Sequence, residues 1–294
     1  MSYRGRFAPS PTGALHFGSL VAAVGSWLRA RSRDGVWLVR MEDLDPPREV
    51  PGSAAHILRT LAAFGMTSDE PVLYQSNRDP AYRAAFDKLQ ALGGVFPCWC
   101  SRNDLEGEQR LHQGACVAAT DPGREPAWRL RTPDVQIAFC DALFGERRQI
   151  LGRTVGDFVV RRVEGWYAYQ LAVVVDDAEQ AITEVVRGAD LLDSTARQIH
   201  LQHLLGLPTP DYLHLPIVLG EDGRKLSKQE RARPVDCADP MPALRAALAF
   251  LGLPDVRGSS PRGLLDIAAR QFDVARLAAI QANAAAQGSP TAAV

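Results

Sequence analysis

Lysine is nearly absent from this chain: Lys88, Lys225 and Lys228 are the three in 294 residues, against thirty arginines. Net charge is just as sparse, at −1. That excludes a chain-wide basic field, while leaving a local basic groove open, because a nucleic-acid footprint depends on clustering and not on the sum. No apolar run approaches the ~20 residues of a membrane span. The opening "MSYRGRF" lacks the charged-then-apolar layout of a signal peptide. Cysteine is scarce and odd in number, five in all, with three between Cys98 and Cys116. A disulfide framework is spread more evenly, so a reducing cytoplasm and a metal site are expected, with no membrane partner.

What is present is ordinary for a folded protein: 46% apolar and 23% charged residues, in a chain long enough for one large domain or two modest ones. "RGRFAPS" reads as a short strand entering a turn, and "SLVAAVGSWLRARSR" carries apolar residues at helical spacing. "VWLVRMED" is a second strand, and "SAAHILRTLAAFGM" a second amphipathic helix. This order predicts a βαβ unit and a parallel sheet. A third helix, "DPAYRAAFDKLQALGG", starts at Asp79 and Pro80, which suit a cap and a first turn. From Val95 the rhythm breaks into short segments, read as antiparallel strands and loops, until "YQLAVVVDDAEQ" resumes the helix–strand alternation. Three short helical stretches follow residue 236.

The stretch "GRFAPSPTGALHFGS" places two prolines, three glycines and His16 between the first strand and its helix. Such a turn lies at the carboxyl edge of a parallel sheet, where open α/β folds bind ligands. Gly13 and Gly18 allow close backbone approach, Pro9 and Pro11 restrict the loop, and the free amides of the helix start favour an anion such as phosphate. His16 is either a phosphate donor here or a plain capping residue. In "GEDGRKLSKQ", Lys225 and Lys228 flank Ser227 just after Gly220 and Gly223. A lysine there suits charge that builds up during displacement at phosphorus, although a solvated polar loop has the same composition.

Together "HFGS" and "KLSK" resemble the "HIGH" and "KMSKS" signatures of class I aminoacyl-tRNA synthetases. "RFAPSPTG" and "VRMEDLDPPR" resemble the glutamyl and glutaminyl branch of that family. The resemblance implies a Rossmann-type parallel sheet, an α/β fold, and ATP held by His16, Gly18, Ser19, Lys225 and Lys228, with Lys228 and His16 catalytic and Mg²⁺ accompanying ATP. Two departures stand out: Ser19 replaces the second histidine of the first signature, and Gln229 the final serine of the second. The resemblance also implies a glutamate pocket formed by Arg6, Phe7, Ala8, Pro9, Ser10, Glu42, Tyr169 and Arg187. Arginine forks suit the side-chain carboxylate, and Glu42 suits the ammonium group.

Cys98, Cys100, His112 and Cys116 offer three thiolates and an imidazole, a tetrahedral set typical of structural Zn²⁺. Cys140 and Cys237 have no partner in spacing and are expected to be plain core or surface residues. About 65 residues follow Lys228, too few for the large helical anticodon-binding region of glutamyl-tRNA synthetases. In this the chain resembles the glutamyl-queuosine tRNA(Asp) synthetase branch, in which the third metal position is often tyrosine where His112 stands here. That branch activates L-glutamate with ATP without tRNA and transfers it to the queuosine base in the anticodon loop of tRNA(Asp). A minimal synthetase charging tRNA(Glu), a ligase with a small-molecule acceptor, and a non-catalytic RNA-binding paralogue are the alternatives. Retention of Lys228, Arg6, Glu42 and Arg187 argues against the last, and the segments "WRLRT" and "VVRRVEG" offer cations that track phosphates.

These readings divide the chain into five parts. Residues 1–94 form the first half of the catalytic domain and 95–165 a zinc-binding, acceptor-binding-like insertion. Residues 166–235 form the second half with the KLSK loop, 236–283 a helical region, and 284–294 a tail with too little apolar bulk to fold. A cytoplasmic monomer is expected.

Overall fold

A computed structural model describes residues 2–105, 111–218 and 234–279. The expected tail, residues 284–294, lies outside them. Strand β1 (Arg4–Phe7) runs into the glycine-proline turn, and helix α1 (Phe17–Arg31) follows. Strand β2 (Val36–Met41) returns parallel to β1, with Arg6 opposite Leu38, and the short β3 (Leu73–Tyr74) extends the sheet. Helix α2 (Ser53–Ala63) and helix α3 (Asp79–Ala91) flank β3 in sequence. Asp79 lies inside the first turn of α3 and not at its cap, where it accepts from Arg83 one turn on.

The insertion begins with β4 (Val95–Cys98), β5 (Ala127–Leu130) and β8 (Phe158–Arg161), an antiparallel sheet in the order β4-β5-β8. Between β5 and β8 the chain makes a hairpin of β6 (Gln136–Asp141) and β7 (Gly145–Ile150), followed by the single turn α4 (Leu151–Thr154). That hairpin leaves the insertion's sheet. Asp141 at its tip pairs in parallel with Tyr212 of β10 (Asp211–Leu215). So residues 95–165 contribute to two sheets.

Helix α5 (Tyr169–Glu179), β9 (Glu184–Gly188), helix α6 (Thr195–Leu205) and β10 complete a second parallel set, β9 beside β10. The two parallel sheets meet where the Thr183 amide donates to the Arg4 carbonyl at 2.9 Å, setting β9 next to β1. The carboxyl ends of β1, β2, β9 and β10 thus share one edge.

Two apolar clusters hold this arrangement. One gathers Leu20, Trp27, Leu28 and Trp37 with Leu244, Leu248 and Leu264 from helices α7 (Pro240–Phe250) and α8 (Pro261–Gln271). The C-terminal helices therefore pack on α1 within the same core. Trp37 is fully buried, stacks on Phe7 with centroids 6.4 Å apart, and donates its indole N–H to Ser26 Oγ at 3.0 Å. The other cluster joins Tyr82, Phe86, Leu130, Phe158, Leu171 and Ile199 and ties the insertion to α3, α5 and α6.

Candidate active site

The shared edge opens into a cavity of about 350 Å³. Arg6, Phe7, Ala8, Pro9 and Ser10 line it from β1 and its turn, His16, Gly18 and Ser19 from the start of α1. Glu42 comes from the end of β2, Tyr169 from the start of α5 and Arg187 from β9. Every described residue singled out for ATP or glutamate therefore meets in one place. Gly13 sits at φ 131°, in the region that side chains avoid, and is pinned by Ser53, whose hydroxyl donates to the Gly13 carbonyl at 2.7 Å.

His16 caps α1. Its Nδ1 accepts from the Ser19 amide at 3.2 Å, which leaves the neutral ring's proton on Nε2, 3.0 Å from Ser19 Oγ. The serine that departs from the HIGH signature is thus the histidine's own partner. Lys225, Lys228 and Gln229 lie outside the described residues. The residues before that stretch, Pro216, Ile217 and Val218, line the cavity, and Pro234 after it bridges to His16.

The charges are not equivalent. Arg6 is buried and clamped by Asp177 of α5, Nε to Oδ1 at 3.0 Å and Nη2 to Oδ2 at 3.2 Å. Asp177 also accepts from Arg40 at 2.8 Å. Burial works to raise Asp177, but the guanidiniums of Arg40 and Arg6 win and hold its carboxyl below the ordinary value. Glu42 fares differently. Its Oε1 is buried with no hydrogen-bond partner among the described residues and stands 3.5 Å from Arg40 Nη2. Burial outweighs that arginine and pushes Glu42 up to about 7. Arg187 makes no ion pair among the described residues and donates only to neutral acceptors, the shortest bond being 2.7 Å to Gln198 Oε1. Tyr169 is raised by burial, so its hydroxyl remains a donor.

Sequence reasoning missed Asp177, Gln198, Thr195, Asp141 and His214. Paired aspartates inside the apolar run "LAVVVDD" were the available signal, since buried carboxylates demand cationic partners.

At the insertion, Cys98, Cys100, His112 and Cys116 place their ligand atoms within 4.8 Å of one another. His112 turns its other nitrogen, Nδ1, to Asp157 at 3.1 Å, and Arg129 Nε donates to Cys98 Sγ at 3.2 Å. Burial raises Cys100, but the amides of Ala118 and Val117 and the neighbouring thiols bring it below the usual thiol range. Cys116 is pushed up to about 12 by burial and then by Cys98 and Cys100. Three crowded thiols cannot all ionise without a cation, and a divalent ion removes that obstacle. The donor set fits Zn²⁺. Cys140 is exposed, and Cys237 lies 3.2 Å from Thr60 Oγ1, apart from this cluster.

The family model for class I tRNA synthetases (E and Q), catalytic domain, matches residues 2–255. The chain belongs to that family. This synthetase is accordingly an ATP-dependent ligase with the class I α/β fold. It is 55% identical over 276 residues to a protein of Burkholderia cenocepacia (strain HI2424) named glutamyl-Q tRNA(Asp) synthetase, covering 90% of this chain and 92% of that one. A protein of the same name from Xanthomonas campestris pv. campestris (strain 8004) is 56% identical over 281 residues, 94% of each chain. The fold matches the glutamate tRNA ligase of Elizabethkingia meningosepticum, solved with its amino acid, at a TM-score of 0.75 and 23% identity. That match covers 94% of the synthetase and 66% of the longer ligase.

A second cavity of about 800 Å³ adjoins the first, sharing Ser10, Glu42 and Tyr169 and reaching Asp45, Arg48 and Arg162. Arg162 of "VVRRVEG" pairs with Glu164 and Asp45 beside it. Among the described residues of the synthetase, no helix is long and apolar enough to cross a membrane.

Proposed function

We propose that this synthetase activates L-glutamate with ATP, in the absence of RNA, and passes it to the queuosine base in the anticodon loop of tRNA(Asp). The observation that carries the amino-acid half is the buried Oε1 of Glu42, without a hydrogen bond among the described residues, sharing one cavity with the guanidinium of Arg187, which pairs with no carboxylate among them. A ligand with an ammonium at one end and a carboxylate at the other satisfies both, and glutamate is such a ligand. Its side-chain carboxylate goes to Arg187, with Tyr169, Arg6 and Ser10 as further donors, its ammonium to Glu42, and its α-carboxylate toward the His16 turn.

An α-carboxylate oxygen attacks the α-phosphorus of ATP. A carbon–oxygen–phosphorus anhydride forms, the bond to the bridging oxygen breaks, and pyrophosphate leaves. The residues contribute orientation and charge. The Gly18 amide receives phosphate, the Ser19 amide being taken by the His16 cap, and Ser19 Oγ, which accepts from His16, turns its own proton outward as a donor. Lys228 and Lys225 carry charge on the leaving phosphates by motif. Mg²⁺ enters with ATP as their counter-ion, since MgATP is the usual substrate form and the metal-type cluster among the described residues is the cysteine–histidine set. A nucleophile on the RNA then attacks the activated carbonyl and AMP leaves.

The acceptor half is supported by relatives of that name matched over 92–94% of their own length, and by the larger cavity opening beside Glu42 and Tyr169. The Zn²⁺ set stiffens the insertion and has no part in the chemistry. The protein works in the cytoplasm as a monomer. Labelled glutamate offered with ATP and purified tRNAs tests this: label goes to queuosine-bearing tRNA(Asp), and not to the same tRNA lacking queuosine. Label on the 3′ end of tRNA(Glu) makes the chain a minimal glutamyl-tRNA synthetase. Pyrophosphate exchange with no labelled RNA makes it a ligase with a small acceptor.

A further inference from the structure

Three adjacent strands place Asp141, His214 and Arg187 in a line. His214 of β10 is the cross-strand partner of Arg187 on β9, and parallel partners project to the same face of a sheet. Asp141 ends β6 on the other side of β10. All three side chains are buried, at 5% exposure or less. Asp141 Oδ2 accepts from the His214 ring Nδ1 at 2.7 Å and from the His214 amide at 3.0 Å. Its other oxygen holds the amides of Leu143 and Phe144 at 3.0 and 2.9 Å, so the carboxylate is fixed from both sides.

The consequence is a defined tautomer. With the proton on Nδ1, the Nε2 lone pair faces Arg187, whose Nε donates to it at 3.0 Å. Thr195 Oγ1 lies 3.3 Å from the same nitrogen and accepts from Arg187 Nη2 at 2.9 Å. The remaining acceptors on the guanidinium among the described residues are Gln198 Oε1 at 2.7 Å, the Leu191 carbonyl at 3.2 Å and Tyr169 Oη at 3.4 Å. All are neutral. The carboxylate that orients Arg187 is one imidazole away, so the arginine is held without being neutralised. Arg6 in the same cavity, bound directly by Asp177, is the contrast.

We propose that Asp141 and His214 are positioning residues for substrate selection: they fix Arg187 through a neutral imidazole so that its charge is kept for the ligand's side-chain carboxylate. This rests on glutamate being the substrate, and it deepens that reading by assigning discrimination against glutamine to the relay. A glutamine amide brings no charge to offset that of Arg187, so weakening the relay narrows the preference for glutamate.

Pyrophosphate exchange on the full chain, with glutamate and glutamine each varied, tests it. His214→Leu removes the acceptor and is expected to raise KM for glutamate about 10- to 100-fold, as for loss of a buried hydrogen bond to a charged group. KM for ATP and the melting temperature stay within about twofold and a few degrees. His214→Gln presents an amide oxygen near the same point and recovers most of the affinity. Asp141→Asn, a second variant, presents an N–H to Nδ1, drives the proton to Nε2 and produces the same rise in KM. Separately, ¹⁵N spectra of the free, unaltered protein are expected to show His214 protonated at Nδ1 and bare at Nε2. A protonated Nε2 at neutral pH overturns the relay whatever the substrate. An unchanged KM for glutamate in folded His214→Leu also overturns it while leaving the substrate reading intact. No glutamate-dependent exchange by the unaltered chain sinks the substrate reading itself, and the selection role with it.

Discussion

Asp177 on α5 binds Arg6 of β1 and Arg40 of β2 at once, through bonds of 2.8 to 3.2 Å. One carboxylate thereby fastens a helix to two adjacent strands beneath the cavity floor. Removing it takes from Arg6 its ion pair among the described residues and from Arg40 the shortest of its own, leaving Glu42 and Asp176 at 3.5 and 3.9 Å, and Asp177→Asn is expected to cost about 3–5 kcal/mol of stability. Because Asp177 titrates below its ordinary value, its contribution is present above the unfolded carboxylate range near ~4 and is lost as pH falls through the lower folded value. Urea melts of the variant at pH 7 measure the loss. A change under about 1 kcal/mol there rules out this role for the aspartate.

Glu42 predicts a pH dependence of opposite sign. Its carboxyl is raised to about 7, so between the unfolded value and 7 the folded chain holds a proton that the unfolded chain does not. Stability of the free protein therefore declines as pH rises through 7, and a bound ammonium reverses that cost. Glutamate must meet ionised Glu42, so its affinity is expected to be about tenfold weaker at pH 6 than at pH 8, with Arg40, Arg6, Asp176 and Asp177 as the charges around the group. Titration calorimetry across this range reads it, and Glu42→Gln is expected to bind weakly with a flat profile. A steep profile in that variant would place the titrating group elsewhere.

The metal set predicts one Zn²⁺ per chain by elemental analysis. Stripping it with a chelator is expected to lower amide-exchange protection around Cys98 and Ala127, which pair at the cluster end of β4 and β5. Glutamate-dependent pyrophosphate exchange is expected to persist. Asp157 orients His112 through Nδ1, and Asp157→Asn is expected to weaken Zn²⁺ binding roughly tenfold in competition with a chromogenic chelator. Unchanged zinc affinity would reduce Asp157 to its bonds with Thr132.

Lys228 belongs to the second signature. Lys228→Ala is expected to slow adenylate formation about 10²- to 10³-fold, the usual loss for one preorganised charge on a developing anion, with glutamate affinity nearly unchanged. Single-turnover adenylate assays beside direct glutamate binding separate the two effects. An equal loss in both would assign the lysine to substrate binding.

Much of this protein was local enough to read from the chain. The turn from Arg6 to Ser19 contains its own geometry: Gly13 for a backbone that side chains avoid, and His16 for the cap. The spacing of Cys98, Cys100, His112 and Cys116 announced a closed metal set, and the fold brings the ligand atoms of those four within 4.8 Å of one another. Strand–helix alternation announced a parallel sheet. The β6–β7 hairpin was not legible in this way, because its alternation suits any antiparallel pair and only the seat beside β10 assigns it to the main sheet.

The sequence by itself determined which chemical groups stand at the carboxyl edge of the sheet, since each comes from a strand end or a turn whose local pattern names it. Tertiary structure alone decided the state of those groups. Arg6 and Arg187 read alike as strand arginines, yet one meets Asp177 across 171 positions and the other meets a neutral imidazole on the neighbouring strand. Charge, tautomer and protonation depend on what lies within a few ångströms after folding, and strand order, not sequence spacing, sets those distances.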